Sequence, residues 1–213
     1  EIVCIPLELN EVDKLEYKAA QLKFVRSKYL IGEFDTFTAA KLILAKQMKG
    51  DMGAAKRFFQ AIRERTNVIN HASVKIDKAK ELVEKHGDDK ILLFTGSNKF
   101  SDAMADSLDA LVYHSGLTKK QREGALEEFG RRSNAVLCST KALNQGFDVP
   151  DASIGIIAGL NSKALPMIQR VGRLLRLSTH GKVGKIYILY IKDSQEEKWL
   201  KNAVKTLNNV TWL

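Results

Sequence analysis

From residue 88 onward the chain alternates short apolar runs with longer stretches whose apolar residues recur every three to four positions. Residues 91–95, 111–114, 136–139, 154–158 and 186–190 read as buried strands. Residues 98–108, 119–130, 164–175 and 195–207 read as amphipathic helices, with a short helical turn at 141–145. Strand and helix in strict alternation predict right-handed βαβ units, and therefore a parallel sheet with helices on both faces. Ligands of such sheets bind outside the carboxyl ends of the strands, where Thr95, His114 and Thr140 fall.

Before residue 88 the pattern changes. Residues 1–9 are extended, with Pro6 in their midst, and residues 11–30, 38–50, 53–65 and 72–86 have helical periodicity. In the first of these helices Leu15, Ala19, Leu22, Val25 and Tyr29 share a spacing that predicts a core-facing stripe. The sequence thus predicts a linker strand at 1–10, a helical accessory region at 11–87 and an α/β lobe at 88–213.

Composition narrows the classes. With 45% hydrophobic and 28% charged residues in 213 positions, the chain can bury a full core. Lys and Arg number 34 against 25 Asp and Glu, a formal charge of +9 that favours a polyanionic partner. Cys4 and Cys138 lie far apart in apolar runs, which predicts reduced, buried thiols and a cytoplasmic or nuclear setting. The four histidines show no ligand spacing, so no metal site is expected. No apolar run reaches the length of a membrane span, and Glu1-Ile2-Val3-Cys4 has neither a basic n-region nor an initiator Met, so the chain is expected to be a piece of a longer protein.

The chemistry concentrates in a few strings. In Gln169-Arg170-Val171-Gly172-Arg173-Leu174-Leu175-Arg176, Arg173 and Arg176 stand three apart on one helical face. Their planar donor forks match phosphate oxygens. The bland reading is a basic helix with a solvated face. Upstream, Ser139-Thr140 ends an apolar run, and Gly146 and Asp148 follow before Pro150; here the structural readings are a helix cap, a helix end and a turn. Thr95-Gly96-Ser97 closes the run 91–95, and His114-Ser115-Gly116 closes the run 111–114, where His114 also reads as a strand-end histidine.

In order and spacing these strings resemble motifs IV, V and VI of the superfamily 2 helicases and translocases, over residues 88–192. The similarity is to their C-terminal RecA-like lobe, and in particular to the DNA-repair and phage repair helicases. It implies that Arg176 is an arginine finger, that Arg173 completes the γ-phosphate cage and that Gln169 orients the nucleotide or attacking water. Gly146 and Asp148 would sense the nucleotide, and Thr95, Gly96, Ser97, His114, Gly116 and Thr140 would meet the nucleic-acid backbone. The implied partners are nucleic acid, DNA in preference to RNA, and a first RecA-like lobe of the same protein. ATP with Mg²⁺ would be held mainly by that first lobe. Neither a G-x-x-x-x-G-K-[ST] loop nor an acidic D-E box occurs here, and Gly50 to Lys56 has the wrong spacing, so the chain alone is expected to be inactive. Two other readings fit the same residues: a duplex translocase lobe of a restriction or remodelling motor, and a non-catalytic nucleic-acid-binding module. Aromatics make up only 8% of the chain, which weighs against the latter.

Overall fold

The structure, a computed structural model, describes residues 1–32, 35–140, 152–175 and 184–213. The expected elements 141–145 and residues Gly146, Asp148 and Arg176 lie outside the described residues. In chain order the elements are β1 (Ile2–Leu7), α1 (Glu11–Ile31), α2 (Thr36–Leu44), α3 (Met52–Asn70), α4 (Val74–Lys85), β2 (Lys90–Phe94), α5 (Asn98–Leu108), β3 (Leu111–Tyr113), α6 (Lys119–Arg131), β4 (Ala135–Ser139), β5 (Ile154–Ile157), α7 (Ala164–Leu175), β6 (Lys185–Ile191), α8 (Gln195–Val204) and β7 (Val210–Trp212). The chain forms two compact units, one of Leu9–Ala72 and the other of Glu1–Glu8 with Ser73–Leu213.

In the larger unit all seven strands pair in parallel, in the order β3-β4-β2-β5-β6-β1-β7. The central strands β2 and β5 are buried along their whole length, and β6 along all but its first residue. The edge strand β3 is only half-buried. Strands covered on both faces read as continuous apolar runs, which is why Ile91, Leu92 and Leu93 show no alternation. From β2 the chain moves outward past β4 to β3 and then returns, so the right-handed rule sets α5 on one face and α6, α7 and α8 on the other. Accordingly α4 packs beside α5, and α7 beside α8. Ser97 caps α5, and Thr118 and Gln121 form a full capping box at the start of α6.

Strand β1 lies inside the sheet, between β6 and β7. Helix α4 belongs to the sheet unit, and the smaller unit ends at Ala72. A buried ion pair explains this. Lys75 of α4 donates to both carboxylate oxygens of Glu196 of α8, at 2.7 and 2.9 Å, and to the Ala158 carbonyl at 2.8 Å. Neither side chain is exposed at all.

In the smaller unit α3 packs against α1 and α2. Ala40, Ile43, Ala55 and Phe58 form its core, and Phe24 stacks on Phe58 with ring centroids 5.2 Å apart. The stripe of α1 expected to be core is instead exposed: Leu15, Ala19, Leu22, Val25 and Tyr29 all face solvent. The side that packs carries Tyr17, Ala20, Phe24, Ser27 and Ile31, offset from the expected stripe by about half a turn.

Candidate nucleotide and nucleic-acid interface

Parallel pairing brings the strand ends into register. Tyr113 pairs with Ser139, Ser139 with Phe94, and Phe94 with Ile157. The next residues, His114, Thr140, Thr95 and Ala158, therefore stand side by side along the carboxyl edge, at the roughly 4.8 Å spacing of neighbouring strands. Three of the four were singled out in the sequence.

Their side chains are not equally available. Thr95 is buried, its N–H donates to the Ser139 carbonyl at 2.8 Å, and its hydroxyl donates to the Ser97 carbonyl at 3.1 Å. It shapes the turn, and the exposed neighbour is Gly96. Ser97 Oγ accepts the Phe100 N–H at 3.1 Å as the cap of α5. His114 is buried too. Its Nδ1 accepts the Gly116 N–H at 3.1 Å, which places the ring proton on Nε2, where it donates to Asp102 Oδ1 at 2.8 Å. The imidazole thus clamps the turn after β3 to α5, leaving Ser115 and Gly116 exposed. Thr140 is half-buried.

A residue missed in the sequence completes this edge. A Cβ on Gly159 would stand 2.2 Å from the Gly96 backbone nitrogen, so only glycine lets the chain after β5 lie against the Thr95-Gly96 turn. The neighbouring strand ends are tied by the Lys75–Glu196 pair, because Glu196 also accepts the N–H groups of Leu160 at 3.2 Å and Ile191 at 3.0 Å. Burial pushes the Lys75 ammonium down and the Glu196 carboxyl up, and each is pulled back by the opposite charge of the other. No sequence string signals this contact, since its partners are 121 positions apart.

Gln169 and Arg173 are elsewhere. Ala164, Ile168, Val171 and Leu175 turn one face of α7 onto the sheet, and Gln169, Arg170 and Arg173 face out. At Gly155 of β5 an added Cβ would be 2.8 Å from Val171, so the helix lies close to the strand. As a crossover helix α7 runs back against the strand direction, so Arg173 is displaced about 14 Å along it from Ala164. With Gln169 and Gly172 it lines an open cleft of about 790 Å³, whose other walls are Glu1, Ile2, Gly184 and Ile186 at the amino ends of β1 and β6, and Asn208 and Asn209. The sheet therefore holds Gln169 and Arg173 at one end and Thr95, His114 and Thr140 at the other. One end offers a cation and an amide to a phosphate, the other a row of backbone and hydroxyl groups. Among the described residues no three His, Cys, Asp or Glu side chains group to hold a metal ion.

Residues 74–178 match the helicase conserved C-terminal domain. Over that stretch, about half of the chain, the sequence is similar to the C-terminal lobes of superfamily 2 helicases. Among related sequences, the DNA 3'-5' translocase XPB2 of Sulfurisphaera tokodaii is 25% identical over 174 residues, 80% of this chain and 38% of that one. The pre-mRNA-processing ATP-dependent RNA helicase PRP5 of Vanderwaltozyma polyspora is 28% identical over 117 residues, 53% of this chain and 13% of that one. The C-terminal part of the Fun30 ATPase domain superposes with a TM-score of 0.64 at 20% identity, covering 95% of this chain and 89% of that one, a likeness of fold. The chain spans well under half the length of either sequence relative. The relatives include DNA and RNA enzymes, and the lobe they share is that of ATP-dependent helicases and translocases.

Proposed function

We propose that this chain is the second motor lobe of an ATP-dependent helicase of the DNA repair or recombination type, and that it works only beside a first lobe. The observation that carries the reading is the polarity of the sheet: exposed Gln169 and Arg173 beside the cleft at its amino edge, exposed Gly96, Ser115 and Gly116 at its carboxyl edge. A lobe so divided grips a nucleotide with one end and a strand with the other, and moves both as one body.

The residues present suit a polyphosphate. The Arg173 guanidinium is fixed in charge and presents a fork of donors to phosphate oxygens, and the Gln169 amide one turn earlier supplies both a donor and an acceptor. ATP, when bound, supplies a phosphoryl group whose transfer to water drives the cycle. Arg173 would stabilise charge on that group, with Arg176 as the finger, while Gly146 and Asp148 would sense the nucleotide and Mg²⁺ would be held by the first lobe. On the opposite edge, main-chain groups at Gly96 and Gly116 and the hydroxyls of Ser97, Ser115 and Thr140 would contact phosphates, which gives little sequence preference. Thr95 and His114 would act from below, by shaping those turns. The preference for DNA is the part of this proposal that substrate choice must decide, since a DNA translocase and an RNA helicase relative cover 80% and 78% of this chain at the same 25% identity. Buried, free Cys4 and Cys138 support a reducing compartment.

ATP turnover by the intact protein, measured with single-stranded, duplex and forked DNA and with the matching RNAs, tests this reading. Stimulation by DNA above RNA supports it. Stimulation by RNA alone would move the protein among RNA helicases, and stimulation by duplex without strand separation would make it a translocase.

A further inference from the structure

Helix α1 is apolar on two sides, and the described residues cover only one of them. Tyr17, Ala20, Phe24, Ser27 and Ile31 face α3 and α2, while Val12, Leu15, Leu22 and Tyr29 are 67, 66, 59 and 85% exposed. With Ala19 and Arg26 these four fill alternate spacings of three and four, from residue 12 to residue 29, the seam of a helix that pairs with another helix. Val25 and Leu30, also exposed, widen it. Scattered surface leucines need no explanation, but a contiguous apolar stripe along a helix of about 31 Å does.

We propose that this stripe is a self-association surface, on which α1 of a second copy lies antiparallel about a two-fold axis. The charges choose this partner and this direction. The first half of α1 holds Glu11, Asp13 and Glu16 against Lys14 and Lys18, whereas the second half holds Lys23, which pairs with Glu64 of α3, together with Arg26 and Lys28 and no acid between Gln21 and Ile31. A parallel copy would set the cationic halves together. An antiparallel copy sets each cationic half on an acidic one.

The sizes agree with the same register. With the axis crossing between Ala20 and Gln21, Val12 faces Tyr29 of the second copy, Leu15 faces the stem of Arg26, and Ala19 faces Leu22. Small meets large at the centre, and both contacts recur by symmetry. Arg26, the polar residue in the seam, then falls next to Glu16 of the second copy. The groove of about 740 Å³ beside this end of α1, lined by Val25, Tyr29 and Leu30 with Arg26 and Arg57, receives the acidic first turns of the second helix.

Sedimentation of the 213-residue chain over a concentration range up to about 100 µM is the test. A concentration-dependent dimer is expected. Leu22→Glu should abolish it while leaving far-UV circular dichroism and urea unfolding of the monomer unchanged, since Leu22 touches no core. Glu16→Arg and Arg26→Glu should each weaken the dimer about tenfold or more, and the double exchange should recover affinity to within about threefold of the parent. A chain that stays monomeric throughout, or a dimer indifferent to Leu22→Glu, would overturn the proposal. Failure of the double exchange to recover would overturn the antiparallel register. A monomer whose Leu22→Glu variant loses affinity for nucleic acid would assign the stripe to that ligand instead.

Discussion

Removing the Lys75 ammonium, by Lys75→Met, leaves the Glu196 carboxyl buried with the Leu160 and Ile191 N–H groups as its partners among the described residues and leaves the Ala158 carbonyl without its Lys75 donor. Breaking one side of a fully buried pair costs about 3–5 kcal/mol. That is a large part of the roughly 5–15 kcal/mol by which a domain is stable. With a urea dependence of about 2 kcal/mol per molar, the midpoint of the sheet unit should fall by about 2 M. Glu196→Gln, which removes the charge and keeps an acceptor oxygen for only one of the two N–H groups, because these bond to different carboxylate oxygens, should also destabilise. The helical unit contains neither residue, so its transition should not move. Urea titrations followed by Trp199 fluorescence and far-UV circular dichroism read the two together. A Lys75→Met midpoint within about 0.5 M of the parent would refute the view that this pair ties α4, α8 and the ends of β5 and β6 into one body.

Three further outcomes follow from packing and ionisation. Glycine replacements should rank by what the new methyl meets: Gly159→Ala, against backbone, most damaging; Gly155→Ala, against Val171, costing about 1–3 kcal/mol; Gly172→Ala, 3.7 Å from Ile186, neutral or stabilising by up to about 1 kcal/mol, all measurable by urea unfolding. Burial pushes the thiol of Cys4 up to about 11 and that of Cys138 up to about 12, so neither should react with a thiol reagent at pH 8 until the chain is unfolded. In the helical unit, hydrogen bonds hold three carboxyls below their ordinary range: Asp51 by the Ala54 N–H, Asp35 by Thr38 and Glu64 by Lys23. Depressed acids stabilise the fold above their unfolded pKa, and that contribution disappears as pH falls through the folded values. This unit should therefore lose helicity on acidification, with a shallower transition in Asp51→Asn, followed by circular dichroism.

Much of the sheet unit was legible because its local and tertiary signals agree. The run Ile91-Leu92-Leu93-Phe94 is apolar enough to be only a buried strand, and α5 and α7 carry the expected periodicity between the expected ends. Strand β1 was harder, since Pro6 argues against an inner strand. The structure resolves this. The main-chain groups of residues 2 and 4 turn toward β7, and the described pairing with β7 ends at Cys4, so Pro6 lies beyond that ladder. The three-residue β7 was too short and too polar to read, although Trp212 packs edge-on against Tyr190 there, with centroids 5.7 Å apart. Periodicity named an apolar stripe on α1 but could not say what covers it. Arg65, whose residue type alone suggests a surface position, is buried with its guanidinium 4.4 Å above the Phe24 ring. As for the site, residue types placed Thr95 and His114 correctly at the strand ends, but only the hydrogen bonds show that their side chains are already engaged.

The most direct test of the central claim is ATP turnover by the intact protein carrying Arg173→Ala, measured beside its affinity for nucleotide and for nucleic acid. The account predicts that turnover falls by about 10³-fold or more, as for other transition-state arginines, with both affinities retained. Unchanged turnover would contradict it, because the amino-edge cleft would then have no part in the chemistry.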